Sequence, residues 1–250
     1  NLTQEQFYEK LTGDADVSTS QPSPDAVMSL WDDLLKNKGY DEIVNIPMSS
    51  GLSSSCATAM MLAQDYDGKV QVVDNQRISV TMKLSVLDAM KMAEDGLSAA
   101  EIKRILEEQK FNSSIYIMVD TLKYLKKGGR ITPAVAAIGS VLNIKPVMWI
   151  GGDKLDAHAK ARGMKGAFRK MCKALHEDLD GRLKDLHDRG ELVLGIAYTW
   201  MEEEELNVWK EELAKEFPGE MIVPGTLMLS IGCHVGPGAL GIGAVRKIKE

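Results

Sequence analysis
The sequence of 250 residues predicts an α/β protein built as two lobes with largely parallel sheets. Three observations lead there. Short runs rich in Val and Ile alternate with longer stretches of helical periodicity along the chain. The length exceeds the roughly 150 residues of a typical domain without reaching twice that number. Apolar residues make up 44% and charged residues 26%, the balance of a chain that closes a globular core. The division falls after Phe111-Asn112, giving lobes at residues 1–112 and 113–250.

Thr3 and Gln6 have the spacing of a capping box and open a helix at Gln4–Leu11. A chain that starts at Asn and in mid-motif is expected to lack the first strands of its first lobe. Ser23 caps and Pro24 begins a second helix, with Val27, Leu30, Trp31, Leu34 and Leu35 on one face, stopped by Asn37-Lys38-Gly39. Glu42–Met48 is a short strand, Ser49–Ser55 a small-residue turn, and an apolar helix runs from Cys56 to about Asp65. Val70–Val73 is a buried strand. Helices follow near Thr81–Glu94 and Ser98–Gln109, the second opened by a Ser98–Glu101 capping box.

In the second lobe Ser114–Val119 is a strand, Leu122–Lys127 a short helix closed by Gly128-Gly129, and Thr132–Ser140 a small-residue helix. Lys145–Ile150 and Lys154–Ala161 flank Gly151-Gly152-Asp153 as a hairpin. Gly166–Arg189 is a long charged helix, Leu192–Tyr198 a strand and Met201–Phe217 a helix. Met221–Thr226 and Leu240–Ile248 are the last strands.

Composition removes several function classes. Thirty basic against thirty-six acidic residues leave a net charge of −6 with no basic tract, which sets a nucleic-acid binder aside. Three widely spaced cysteines, Cys56, Cys172 and Cys233, form no CxxC pair and suit a reducing, cytoplasmic setting. His158, His176, His187 and His234 make no HxxxH or HExxH pair, so no metal site is expected. No apolar run reaches the ~18 residues of a spanning helix. GxxxxGK[ST] is absent, and Gly238, Gly241 and Gly243 precede a strand instead of following one; neither a P-loop nor a dinucleotide fingerprint is present.

SSGLSSS is not GxSxG, and no acid presents itself as a third member, so a serine hydrolase using Ser53 and His234 is the weakest reading. What remains are two hydroxyl-rich segments, Ser18–Ser23 and Ser49–Ser55, each at a helix start. Hydroxyls beside free backbone N–H groups and the positive end of a helix suit an anion. The plainer alternative is two capped helices with nothing bound.

The runs Thr19-Ser20-Gln21-Pro22-Ser23, Ser49-Ser50-Gly51-Leu52-Ser53 and Val119-Asp120-Thr121-Leu122 stand in that order, followed by Lys127-Gly128-Gly129-Arg130-Ile131. Leu142-Asn143-Ile144-Lys145-Pro146 and Gly232-Cys233-His234-Val235-Gly236-Pro237-Gly238-Ala239-Leu240-Gly241 complete the series. Together, and in this order, they resemble the DegV family. The resemblance implies a two-domain α/β protein that binds a long-chain fatty acid, with no cofactor and no catalysis of its own. It further implies the fatty-acid-binding subunit of a bacterial fatty acid kinase, presenting the acyl carboxylate to a separate ATP-binding kinase subunit for acyl-phosphate formation. The missing P-loop agrees, since nucleotide chemistry then belongs to the partner.

By the same resemblance Thr19 and Ser53 hydrogen-bond the fatty-acid carboxylate, and His234 and Arg162 lie around it. Arg130, with Lys126 and Lys127, is expected toward the kinase-facing mouth. Fourteen methionines add adaptable apolar side chains for a varied tail. The sequence departs from the family in four places. No Asp-Ser-Thr strand precedes Thr19, Ser54-Ser55-Cys56 stands for Gly-Thr-Tyr, Cys233 for alanine, and Asn75 lies where Asp-Ser is frequent. The chain is expected to be a monomer apart from its partner. The alternative within the binding class is a carrier or sensor of another amphipathic carboxylate, without phosphotransfer.

Overall fold
The computed structural model describes residues 2–13, 15–132, 143–151 and 154–247. Helix α1 (Gln4–Thr12) opens with the Thr3–Gln6 capping box that the spacing requires. Helix α2 (Pro24–Asp32) starts on Ser23, whose hydroxyl accepts from the Ala26 N–H, and passes into a π-helical turn at Asp33–Asn37. Strands β1 (Ile43–Asn45) and β2 (Val70–Val72) pair in parallel, linked through α3 (Ser55–Leu62) and a 3-10 turn at Ala63–Tyr66. Helices α4 (Ser79–Glu94) and α5 (Ala99–Glu108) follow, α5 fixed by its Ser98–Glu101 box.

The remaining strands are β3 (Ser113–Met118), β4 (Ile144–Ile150), β5 (Leu155–Arg162), β6 (Leu192–Tyr198), β7 (Ile222–Thr226) and β8 (Leu240–Arg246). They form a six-stranded sheet in the order β5-β4-β3-β8-β6-β7. Between them lie α6 (Lys123–Gly128), α7 (Gly163–Asp180), α8 (Lys184–Asp188), α9 (Glu203–Glu216) and α10 (Leu229–Val235).

The α/β class stands, but the expectation of largely parallel sheets fails for this sheet. Only β6 and β7 run parallel in it; the other described pairs are antiparallel. β4 and β5 pair antiparallel, and β8 returns to insert between β3 and β6, antiparallel to both. The helix expected over Gly166–Arg189 is two helices. Gly181, at φ −109° and ψ −109°, breaks it and lets Arg182 turn back onto β3. His234 falls in the short helix α10. Helix α1 packs on α10 through Phe7, Tyr8, Leu11 and Cys233, so the first helix rests against an element from the chain's far end. The helix expected at Thr132–Ser140 lies, beyond Thr132, outside the described residues, as do Gly152-Asp153 and Ile248.

Strand alternation gives the large sheet two different faces. Leu192, Leu194 and Ile196 of β6 and Leu240, Ile242 and Ala244 of β8 point toward α7 and α9, packing against Phe168, Met171, Leu175 and Leu213. The opposite face carries Gly195, Ala197, Gly241 and Gly243, and these small residues border a cavity instead of a filled core. One face closes the core and the other leaves room.

A polar knot ties α7 to β3. Asp178 accepts hydrogen bonds from Ser114 Oγ (2.5 Å), Tyr116 Oη (2.7 Å) and Arg182 Nε (2.7 Å). Burial pushes the Asp178 pKa up, but donation from Arg182, then Ser114 and Tyr116, outweighs it and holds the carboxyl below its ordinary value. A depressed folded pKa means that this contribution is whole above about pH 4 and is lost as pH falls through the folded value. Asp178→Asn should therefore destabilise the protein at pH 7 by about 2 kcal/mol. In urea melts the gap from wild type should shrink on approaching pH 3.

Candidate functional site
Two cavities adjoin, one of them over the small-residue face. The inner one, about 590 Å³ counted out to its open side, is bordered by Ile115, Ile117, Leu227 and Gly241–Gly243, with the first turn of α4 above. The outer one, about 610 Å³, carries Thr19, Gln21, Ser53, Arg130, Ser230 and His234. Leu52, Ile78, Leu155, Ile231 and Val235 line both, so the two meet along a shared apolar wall. The combined space has the character of a small-ligand site: apolar for most of its length, with a few polar groups gathered at one end.

The loop before α4 shapes that wall. Gln76 and Ser79 take left-handed backbone conformations, at φ 56° and 59°, which non-glycine residues adopt only when their surroundings hold them there. Arg77, 1% exposed, supplies the hold: its guanidinium donates to Ser85 Oγ (2.8 Å) and to the Gln109 carbonyl (3.0 Å). Burial draws its pKa down to about 10, against the opposing pull of Asp88, and the side chain stays charged at neutral pH. The Arg77 carbonyl accepts from the Ser49 N–H (3.0 Å), and the Ser49 carbonyl accepts from the N–H groups of Leu52 and Ser53. The buried arginine thus positions the turn that carries Ser53.

At the polar end, Thr19 Oγ1 and His234 Nε2 lie 2.8 Å apart. His234 Nδ1 is buried without a hydrogen-bond partner. An orphaned buried N–H is the rarer and costlier state, which places the ring proton on Nε2, donating to Thr19. The Thr19 hydroxyl proton is then left to donate elsewhere. Ser53 Oγ accepts from the Ser55 N–H (3.2 Å), in the manner of a local turn, and its hydroxyl proton is likewise available. Gly128 is required beside the ring, because a Cβ there would land on the His234 imidazole. Burial first, and the charge of Arg130 second, hold the His234 pKa below its ordinary value, so the imidazole is neutral at pH 7.

The structure brings Thr19, Ser53 and His234 to one cavity, and it brings Arg130 rather than Arg162 to the same place. Arg130 Nη1 donates to the Gly128 carbonyl, which aims its guanidinium inward. Arg162 is the last residue of β5, paired with Ile144, and stands exposed away from the cavity lining. Lys126 and Lys127 are exposed on α6, and Lys127 is held by Asp16 (2.5 Å). Ser230 and Gln21 are lining residues that sequence reading missed. The spacing of Leu227, Ile231 and Val235, four apart, is the helical signal that would have placed Ser230 on a cavity-facing helix.

Among the described residues no group of three or more His, Cys, Asp or Glu is placed to hold a metal ion. No described helix is long and apolar enough to cross a membrane. His234 bonds Thr19 instead of Ser53, and its Nδ1 meets no orienting acid, so the pair lacks the geometry of a hydrolase triad.

The family model described as "Uncharacterised protein, DegV family" matches residues 1–247. Protein DegV of Bacillus subtilis strain 168 is 32% identical over 241 residues, covering 94% of this chain and 82% of that protein. The fold is similar to the solved structure of a fatty-acid-binding DegV family protein from Thermus thermophilus, with a TM-score of 0.84 at 30% identity over 98% of this chain and 85% of that one. It is also similar to that of DegV, a fatty acid binding protein from Bacillus subtilis, with a TM-score of 0.81 at 29% identity over 99% and 85%.

The electrostatics of the polar end are testable directly. Because the charge of Arg130 helps depress the His234 pKa, Arg130→Gln should raise it, with the ring titrating closer to 6.5 in an NMR pH series. An unchanged titration would mean that the guanidinium does not face the ring.

Proposed function
The chain belongs to the DegV family, and we propose that it binds a long-chain fatty acid with the tail in the inner cavity and the carboxylate at Thr19, Ser53, His234 and Arg130. One observation carries this reading: a nearly wholly apolar chamber ends at a cluster of hydroxyls, a neutral imidazole and a guanidinium. A carboxylate accepts several hydrogen bonds at once, and Arg130 favours its ionised form. Thr19 and Ser53 each retain a hydroxyl proton to give. An ionised carboxylate is also the form that attacks a phosphoryl group, so the same end suits presentation to a separate ATP-dependent kinase subunit for acyl-phosphate formation. The role is binding and presentation, not catalysis.

Mass spectrometry of lipid extracted from the purified protein tests the ligand class: fatty acid supports the reading, and a different amphipathic carboxylate replaces it with a carrier or sensor. Thr19→Val and Ser53→Ala each remove one hydrogen bond to a charged group, a loss of ~1.5–3 kcal/mol or roughly ten- to a hundredfold in affinity. If these hydroxyls serve only their contacts within the protein, Thr19 with His234 and Ser53 with the Ser55 N–H, the same variants lower the melting temperature slightly and leave fatty-acid affinity unchanged.

Arg162, Lys126 and Lys127, exposed outside the cavity, belong in this reading to the surface that meets the kinase. Arg162→Glu should lower acyl-phosphate turnover in a reconstituted complex, more so at low salt, while lipid affinity holds. Turnover equal to wild type removes Arg162 from that surface, and acyl phosphate formed without any kinase added contradicts the division of labour.

A further inference from the structure
This inference rests on the fatty-acid reading and concerns where the tail ends. Two cross-strand rows run beneath the cavity and on to β7. Ile115, Gly243, Gly195 and Val223 stand side by side in register, as do Ile117, Gly241, Ala197 and Gly225. From β3 to β8 and β6 the rows thus fall from isoleucine to glycine and alanine, and that drop opens the inner chamber; at β7 one row rises again to Val223 and the other stays low at Gly225.

Over β6 and β7 the drop is filled by one side chain. Val80, in the first turn of α4, sits so close that a Cβ on Gly195 would lie 3.1 Å from Val80 Cγ1, and one on Gly225 would lie 2.6 Å from Cγ2. Val80 is 5% exposed and lines the inner cavity, whereas the outer cavity does not reach it. Leu84, Val193 and Val245 pack around it, so Val80 stands at the boundary between empty chamber and filled core. A β-branched residue in a helix keeps one preferred χ1, and the left-handed Ser79 just before it fixes where the helix starts. The stop is rigid.

We propose that Val80 is the end-stop for the acyl chain, its size measured against Gly195 and Gly225 setting the chain length this cavity accepts. Each methylene that finds apolar room is worth roughly fourfold in affinity, and each that meets packed side chains is excluded. Tail length is therefore read at the far end, independently of the carboxylate.

The test compares the full chain as wild type, Val80→Ala, Gly225→Ala and the double variant, each loaded from one mixture of fatty acids and analysed by mass spectrometry of the extracted lipid. Val80→Ala should lengthen the preferred chain by about one or two carbons. Gly225→Ala, whose new methyl drives Val80 into the chamber, should shorten it, and the double variant should return toward wild type. Val80→Ile, which adds a methyl group to the stop without touching the strand backbone, should shorten it too and serves if Gly225→Ala does not fold. Folded variants with the wild-type length distribution overturn the end-stop and leave fatty-acid binding standing. Wild type that takes up no fatty acid overturns both.

Discussion
An apolar chamber left unfilled costs a folded protein dispersion contacts on every wall, and the architecture around this one is organised to keep it open. Glycine and alanine on one face of the sheet remove the side chains that would fill it. The other face compensates with a dense core in which Leu194 and its strand neighbours pack against Phe168, Met171 and Leu175 of α7. The roof is held off the floor by a strained loop, and that loop is held by a buried arginine whose carbonyl also fixes the Ser49–Ser53 turn. Space, wall and hydroxyl therefore share one support.

The polar end follows a second constraint. Groups that receive a charged ligand in a half-buried place must be satisfied without it, yet still have hydrogens to give. The contact of Thr19 with His234, 215 residues away in sequence, meets both needs for Thr19, whose oxygen accepts from the imidazole and whose hydroxyl proton stays available. A neutral ring gives one hydrogen to Thr19 and leaves the positive charge of the site to Arg130. His234 acts here as an orienting group for Thr19, held in place by the backbone of Gly128.

Local signals in the sequence located most elements, because capping boxes at Thr3 and Ser98 and the Ser23-Pro24 start are short-range chemistry. Strand direction was not legible: the insertion of β8 between β3 and β6 is a long-range pairing that helix–strand alternation does not encode. The break at Gly181 was readable as a glycine in a helical run, and α10 as a four-residue apolar spacing obscured by neighbouring glycines. At the site, Thr19, Ser53 and His234 came from the motif order and meet in space. Arg162 did not join them, since a motif position does not say where an edge-strand side chain points, and Arg130 from the next motif occupies the cavity instead.

The central claim is that an acyl carboxylate is bound, ionised, between Thr19, Ser53 and Arg130 while its tail lies over the glycine-rich sheet face. NMR of the protein loaded with a carboxyl-¹³C-labelled long-chain fatty acid tests it most directly. The account predicts one protein-bound carboxyl resonance that stays ionised below the pH at which an ordinary solvent-exposed carboxyl titrates, with cross-relaxation to the Thr19 and Ser53 side chains. A bound resonance that titrates like an exposed carboxyl, with no contact to either residue, would contradict it.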